Sequence, residues 1–133
     1  MVVQDIPANV RDLFEKSTIA HLTTMDPDGT PHATPVWIDY DPDANQLLVN
    51  SERGRRKVRN VSGNTTVALS MTDPEDPHRY LAVKGSVTDI ATTDAREHID
   101  KLSQRYLGKP YRHPIKTERV ILRIRPDEVL TRP

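Results

Sequence analysis

Two tight turns divide the first part of the chain into three runs of strand-forming residues. Residues 18–25 are rich in β-branched types, and the sequence Asp-Pro-Asp-Gly follows at 26–29. In such a turn proline presets φ and glycine supplies a positive φ. Strand character resumes over residues 30–40, a second turn spans 41–45, and residues 46–51 form a short apolar strand. Consecutive strands joined by tight turns predict an antiparallel meander.

The rest of the chain adds three more strand signals. Apolar and β-branched residues predict strands over residues 64–71, 79–90 and 118–124. Residues 73–78 contain two prolines and are predicted to form a loop between the first two of these strands. Residues 109–116 are predicted to form a second loop. Its residues Tyr111 and Arg112 either line the mouth of a pocket or face solvent, and we favour the solvent-exposed interpretation. The expected number of strands is therefore about six.

Three segments have helical character. Asp5 as a cap and Pro7 in the first turn indicate a helix start and predict a short helix over about residues 7–16. The basic run 52–61 has aliphatic residues at helical spacing, which predicts a second helix. The strongest amphipathic pattern covers residues 93–107 and ends at Gly108, a residue that commonly terminates helices.

These elements define the expected fold class. The strands occur as hairpins, and no regular alternation of strands with helices is present, so a parallel doubly wound sheet is disfavoured. The pattern predicts a mainly β (α+β) fold, an antiparallel barrel with peripheral helices. The chain has 133 residues, with no repeat and no linker, which predicts a single domain over residues 1–133.

Composition and charge exclude several classes of function. The chain has no cysteine, so disulfides, cysteine metal ligands and a cysteine nucleophile are excluded. Its 19 basic and 19 acidic residues give no net charge, whereas nucleic-acid binders usually have a basic excess. The five histidines are scattered and match no metal-binding spacing, so we expect no metal.

The N-terminal residues and the overall hydropathy predict where in the cell the protein is located. The first twenty residues have no basic start followed by an apolar run, so a secretory signal is not expected. No segment approaches the roughly 18 apolar residues that a membrane helix needs. We therefore expect a cytoplasmic protein without a membrane partner.

A cluster of five cations is the clearest functional signal in the sequence. Within seven residues it contains Arg53, Arg55, Arg56, Lys57 and Arg59. Charges of one sign repel each other unless an anion binds among them. The cluster also falls where a strand ends and a helix begins, and backbone N–H groups at a helix start attract anions. Arginine and lysine there predict a phosphate site, and the alternative is a solvated helix face.

The order of several short motifs resembles a known superfamily. The motifs are a first strand with an Asp28-Gly29 turn, Pro35-Val36-Trp37, Ser51 followed by Arg56-Lys57, Val61, Asn64-Thr65, Ala68-Leu69, and Val83 to Val87. Together they resemble the pyridoxamine 5'-phosphate oxidase-like split β-barrel superfamily. Thr65 stands where that superfamily often has proline. The resemblance covers about residues 5–130, and the short length and Arg55-Arg56-Lys57 are similar to its small F420-dependent reductases.

The resemblance implies a homodimer with a cofactor between two split barrels. It implies that Arg55, Lys57 and Arg56 hold the phosphate of coenzyme F420, a deazaflavin, and that Arg53 and Arg59 meet its acidic tail. The residues implied to flank the ring or its ribityl chain are Val36, Trp37, Asn50 and Ser51, with Tyr80 contributed by the partner chain.

The implied function is an F420-dependent oxidoreductase. It would transfer a hydride between the deazaflavin and an unsaturated or quinone-like small molecule. An FMN-dependent oxidoreductase of the same fold and a non-catalytic flavin or F420 carrier are the alternatives. Few aromatic residues and zero net charge disfavour a simple polyanion binder. No catalytic residue is identified, because Tyr80, His78 and bulk water are all open as proton donor.

Overall fold

The computed structural model describes residues 3–133, which form one antiparallel sheet of seven strands with helices packed against it. The strands are β1 (Ile19–Met25), β2 (Pro31–Trp37), β3 (Asp39–Asp41), β4 (Gln46–Glu52), β5 (Thr66–Asp73), β6 (Asp76–Ala91) and β7 (Arg119–Arg132). Their order across the sheet is β2-β1-β5-β6-β7-β4-β3. The sheet curls into a half-barrel, which confirms the predicted mainly β split-barrel class.

The helices lie at three points along the chain. A 3-10 helix (Ala8–Phe14) precedes β1, helix α1 (Arg56–Gly63) follows β4, and helix α2 (Ala95–Leu107) connects β6 to β7. The position of α2 confirms the helix predicted from the amphipathic pattern. Gly108, with a φ of 72°, ends this helix. Among residues 3–133, no helix is long and apolar enough to cross a membrane.

The strand predicted over residues 30–40 is two strands, and this raises the count from about six to seven. It breaks at Ile38, whose side chain is fully buried. The backbone N–H of Ile38 donates to the hydroxyl of Tyr106, 3.0 Å away, instead of to a neighbouring strand. Beyond this break the chain changes partner, because β2 pairs with β1 whereas β3 pairs with β4.

The loop predicted over residues 73–78 is only a tight turn. A carboxylate oxygen of Asp73 accepts a hydrogen bond from the N–H of Glu75 at 2.9 Å, and β6 begins at Asp76. Strand β7 is also longer than the predicted 118–124. It passes through Pro126, which pairs with Gly85 where the β6–β7 register shifts, and such irregularities accommodate a residue without an N–H donor.

The basic run also begins differently from the prediction. Glu52 is still part of β4 and pairs with Arg119, so no helix covers residues 52–55. Gly54 then turns the chain with a φ of 96°, and Arg55 occupies the N-cap position of α1. The predicted first helix is a 3-10 helix that ends at Phe14, before residue 16.

Two apolar clusters hold these elements together. The larger fills the half-barrel and includes fully buried side chains from the N-terminal segment, the break at residue 38 and strands β4, β6 and β7: Ile6, Leu13, Ile38, Leu47, Leu81, Leu122 and Ile124. The smaller joins Leu48, Ala95 and Ile121, and therefore packs α2 against the other face of β4 and β7. Alternation along β4 thus directs Leu47 into the half-barrel and Leu48 towards α2.

We predict that Gly85→Ala destabilises the fold. A Cβ at this position would lie 2.5 Å from the carbonyl oxygen of Arg125 and 2.8 Å from Cγ2 of Ile124, so β6 and β7 would have to separate. Overpacking of this kind costs about 1–3 kcal/mol. Chemical denaturation measures the loss in free energy of unfolding. The matched control is Gly63→Ala, where a Cβ meets nothing within 4 Å. An equal effect of both substitutions would contradict the close-approach argument.

Candidate functional site

A cleft of about 380 Å3 opens where the ends of β2 and β4 meet the start of α1. Helix α2 and the segment 108–118 border it. Its walls are formed by Ile19, Pro35, Val36, Trp37, Asn50, Ser51, Arg55, Lys57, Ile99, Tyr111, His113 and Arg119. This volume lies in the range of about 300–1,000 Å3 that is typical of small-molecule pockets.

Six of the nine residues predicted to bind a cofactor lie together in this cleft. They are Val36, Trp37, Asn50, Ser51, Arg55 and Lys57. The other three, Arg53, Arg56 and Tyr80, are not among the residues that line it. The split-barrel fold therefore brings the ends of two distant strands and one helix start into a single site.

Three cations of the cleft take part in no ion pair within the described residues, although the charge of Glu52 acts on Arg119 from a longer distance. Within residues 3–133, no carboxylate forms an ion pair with Arg55, Lys57 or Arg119. Burial lowers the pKa of the Lys57 amine, and the charges of Arg55 and Arg119 lower it further. Burial also lowers the pKa of Arg119. Charged groups in this arrangement repel each other, so an anion bound among them would be stabilised.

Arg119 is held in place by two neighbours. Its Nε–H donates to Oδ1 of Asn50 at 2.9 Å, and its guanidinium carbon lies 5.1 Å from the centre of the Tyr111 ring. The side chain is 8% exposed. A guanidinium fixed in this way loses little conformational freedom when it binds a planar or tetrahedral anion.

Two of the predicted cations outside the cleft, Arg56 and Arg53, form ion pairs instead. Arg56 forms an ion pair with Asp26 in the β1–β2 turn, with Nε to Oδ1 at 2.9 Å, and Asn60 donates to the same carboxylate at 2.9 Å. These contacts fasten α1 to that turn. Arg53 pairs with Glu118 at 2.9 Å. Arg59 is exposed and lies beside the same turn as Arg56, away from the cleft lining.

The segment 108–118 is fastened at both ends, which positions Tyr111 and His113 in the cleft wall. The N–H of Tyr111 donates to Asp100 on α2 at 3.1 Å. At the other end, the buried carboxylate of Glu52 accepts from the N–H groups of Lys116 and Thr117. These backbone hydrogen bonds, led by that of Thr117, lower the pKa of Glu52.

Trp37 forms part of the cleft wall, and its ring stacks on that of Tyr106. The rings of Trp37 and Tyr106 stack with their centres 5.0 Å apart and their planes 11° from parallel. The Tyr106 hydroxyl donates to the carbonyl of Thr18 and accepts from the N–H of Ile38, so the pair is fixed to the strand break. A half-buried indole held this way offers a flat apolar surface beside the cations.

Sequence reasoning missed several residues of the cleft, of which Arg119 matters most. The interpretation of residues 109–116 as an exposed loop was wrong for Tyr111, which lines the cleft and packs under Arg119. Arg119 itself stands in a strand pattern with no neighbouring cation, so no local signal marks it. It reaches the site only because β7 pairs with β4, which places it opposite Glu52.

The fold and the cleft define a split-barrel protein with a positively charged, aromatic-walled pocket at the strand-to-helix junction. The family profile described as pyridoxamine 5'-phosphate oxidase matches residues 6–132, which is nearly the whole chain. The chain therefore belongs to the pyridoxamine 5'-phosphate oxidase family.

Solved structures agree with this assignment. A structure described as an F420 reductase is 35% identical, with a TM-score of 0.81, and the match covers 94% of this chain and 98% of that one. A conserved hypothetical protein of Mycobacterium tuberculosis is 21% identical over 97% of this chain and 85% of its own, with a TM-score of 0.75. General Stress Protein 26 of Bacillus anthracis is 18% identical over 92% and 89%, with a TM-score of 0.69. The last two show the shared fold. Among proteins with curated functions, none matches this chain significantly.

We predict that the cleft binds sulfate, an anion that stays doubly charged across the working pH range. The substitutions Lys57→Gln and Arg119→Gln should each weaken sulfate binding. A hydrogen bond to a charged group contributes roughly 1.5–3 kcal/mol, so each loss should be about tenfold or more. Isothermal titration calorimetry measures the affinity. The matched control is Arg59→Gln, which removes the same charge from the same helix outside the cleft.

The pH dependence of sulfate binding has a defined sign. A bound anion stabilises the Lys57 ammonium, so the affinity should fall as the pH rises through the lowered pKa of this amine, below its ordinary 10.5. Lys57→Gln should remove this alkaline decrease. If Arg59→Gln weakened binding as much as Lys57→Gln, the affinity would come from overall charge and not from the cleft.

Proposed function

We propose that this chain is an F420-dependent oxidoreductase that transfers a hydride between the bound deazaflavin and an unsaturated or quinone-like small molecule. The observation that carries the proposal is the group of Arg55, Lys57 and Arg119, which line the cleft beside the stacked Trp37 and form no ion pair within residues 3–133. The family assignment and the 35% identical F420 reductase support an oxidoreductase-type function.

The residues of the cleft fit a phosphorylated ring system. Arg55, Lys57 and Arg119 would hold the phosphate, and Arg119 would be pre-oriented by Asn50. Val36 and Trp37 would cover an aromatic face and keep water from it. When bound, the deazaflavin supplies the hydride-carrying centre, and the protein contributes binding, orientation and electrostatics.

Charge beyond the phosphate site favours F420 over FMN, because F420 carries an acidic tail that FMN lacks. The segment that borders the cleft carries exposed Lys109, Arg112 and Lys116, none of which forms an ion pair with a carboxylate within residues 3–133. Arg53 and Arg59, which the resemblance assigns to the tail, lie outside the cleft lining. They would therefore act only on a tail that extends beyond the cleft.

Two other functions use the same cleft. An FMN-dependent oxidoreductase needs only the phosphate site and the ring wall. A non-catalytic flavin or F420 carrier needs binding without a substrate position. The fold alone does not separate these functions, because the same scaffold supports several activities.

Fluorescence titration of the purified protein with F420 and separately with FMN tests the proposal. We expect F420 to bind at least tenfold more tightly than FMN. Lys57→Gln should weaken both ligands. A triple substitution of Lys109, Arg112 and Lys116 by Gln should weaken F420 much more than FMN, because only F420 has the acidic tail.

The outcomes of this titration separate the three functions. A preference for FMN would indicate that FMN, and not F420, is the cofactor. Tight F420 binding with no oxidation of reduced F420 by any quinone or enone substrate would assign a carrier. If neither cofactor binds, the proposal fails.

The proposal includes a homodimer in which Tyr80 of one chain reaches the cleft of the other. Tyr80 lies on β6 opposite Arg132 and does not line the cleft of its own chain. The outer face of β1, β5, β6 and β7 forms an open groove that contains Leu130, which is 60% exposed. Exposed apolar groups that line a groove favour association.

Sedimentation velocity tests the dimer. We expect a species of twice the 15.1 kDa chain mass for the unmodified protein. Leu130→Glu should shift it to the monomer, because a charge would be buried at the interface. The matched control is Leu107→Glu on α2, a leucine that is 50% exposed outside the groove and should leave the dimer intact. A monomeric unmodified protein would contradict the proposal.

A further inference from the structure

A chain of partly buried hydrogen bonds runs from the cleft through His98 on α2 to Asp39 on β3. Arg119 Nε contacts Oδ1 of Asn50 at 2.9 Å, and Nδ2 of Asn50 contacts Nδ1 of His98 at 3.1 Å. Nε2 of His98 contacts Oδ2 of Asp39 at 3.0 Å. The His98 and Asp39 side chains are only 9% and 5% exposed. Four side chains from β7, β4, α2 and β3 are therefore connected.

The direction of every hydrogen bond in this chain follows from the chemistry of its ends. Arg119 Nε–H can only donate, so Oδ1 of Asn50 accepts. The carbonyl of Ala95 can only accept, and it lies 2.8 Å from Nδ2 of Asn50, which fixes the same amide orientation. The second N–H of Nδ2 then donates to Nδ1 of His98. His98 must therefore be neutral, with its proton on Nε2 and directed at Asp39.

Asp39 is built to remain ionised at the end of the chain. Burial alone would raise the pKa of Asp39, but the His98 hydrogen bond and the charges of Arg105 and Lys101 outweigh burial and hold the pKa well below its usual range. Arg105 contacts Oδ1 at 3.1 Å and Lys101 contacts Oδ2 at 3.3 Å. An ionised carboxylate can only accept, which again requires the proton of His98 on Nε2.

We propose that Asp39, His98 and Asn50 are positioning residues for Arg119, and that the neutral form of His98 sets the anion affinity of the cleft. This inference rests on the proposed function, because it concerns the same anion site. A proton on Nδ1 of His98 would face the N–H of Asn50, donor against donor. Rotation of the Asn50 amide would remove that conflict but place its NH2 group against Arg119 and its oxygen against Ala95. Either outcome releases Arg119.

Several charged groups influence the protonation of His98. Asp39 on β3 favours the protonated form, whereas Lys101 and Arg105 on α2 and Arg119 on β7 oppose it. Further charges line the groove on the outer side of His98: Asp41, Asp94, Glu97 and Arg123. By simple attraction, a proton on His98 would strengthen anion binding in the nearby cleft. Positioning of Arg119 predicts the opposite sign, so the direction of the pH effect decides between the two.

The first test uses the ligand-free protein. Nitrogen NMR of the histidine rings should show His98 as the Nε2–H tautomer at pH 8. The Arg119 Nε–H resonance should shift with the same midpoint as His98 when the pH is lowered. Asn50→Ala should abolish this shift while the melting temperature confirms a folded protein. An Nδ1–H tautomer, or an Arg119 resonance that does not follow His98, would overturn the positioning role.

The second test measures sulfate affinity by calorimetry between pH 5 and pH 8. His113 lines the cleft and would add ordinary attraction when protonated, so the measurement uses a His113→Gln background. In this background we expect the sulfate affinity to fall roughly tenfold on acidification, because the loss of one hydrogen bond to a charged group has an effect of this size. Adding His98→Gln should make the affinity independent of pH in this range, whereas adding His32→Gln, at a half-buried histidine of β2 outside the cleft lining, should not.

A double-mutant cycle completes the design. Arg119→Lys keeps the charge but lacks the Nε–H that Asn50 accepts, so Asn50→Ala should weaken sulfate only when Arg119 is present. An affinity that rises on acidification, or a pH effect that survives His98→Gln, would overturn the inference. If sulfate binds no variant at any pH, the proposed function fails, and the tautomer measurement still decides whether Asn50 and His98 position Arg119.

Discussion

The pairing of β4 with β7 is the constraint on which the site depends. It places Asn50 and Ser51 beside residues of β7 and sets Arg119 opposite Glu52. The last residues of β4 then turn through Gly54 into α1, so Arg55 and Lys57 face the same cleft. A change of register by one residue would reverse the faces of the whole strand. Arg119 would then leave the cleft, and Ile121 would lose its contact with α2.

Burial and charge are balanced in opposite ways on the two sides of α2. On one side, Asp39 is buried but surrounded by Lys101, Arg105 and a histidine donor, so its charge is well compensated. On the other side, Lys57 and Arg119 lie close to like charges, and burial lowers the pKa of both, with Glu52 offsetting only part of the charge of Arg119. The hydrogen bonds through Asn50 connect Asp39, whose charge is compensated, to Arg119 among the cations of the cleft. This contrast is the physical argument for the proposed anion site at the cleft.

Local sequence signals were sufficient to predict the class of fold and part of the candidate site. The turn at 26–29, the amphipathic pattern of α2 and the strand-to-helix position of the basic run all depend on neighbouring residues. The sequence could not show which cations are free, because the partners of Arg53 and Arg56 are Glu118 and Asp26, which lie far away along the chain. The split of residues 30–40 at Ile38 likewise depends on the Tyr106 hydroxyl from α2. Arg119 was missed for the same reason, because only the pairing of β7 with β4 places it in the cleft.

The position of β7 within the sheet has a consequence for synthesis of the protein. By hydrogen bonding, β7 alone connects the four strands β2, β1, β5 and β6 to the pair β4 and β3. It is also the last of the seven strands in chain order, so it leaves the ribosome after all the others. Until then the nascent chain consists of two separate sheet fragments, and the unpaired edges of β4 and β6 are open to wrong partners. Because Arg119 begins β7, it reaches the cleft only after β7 has emerged and paired with β4.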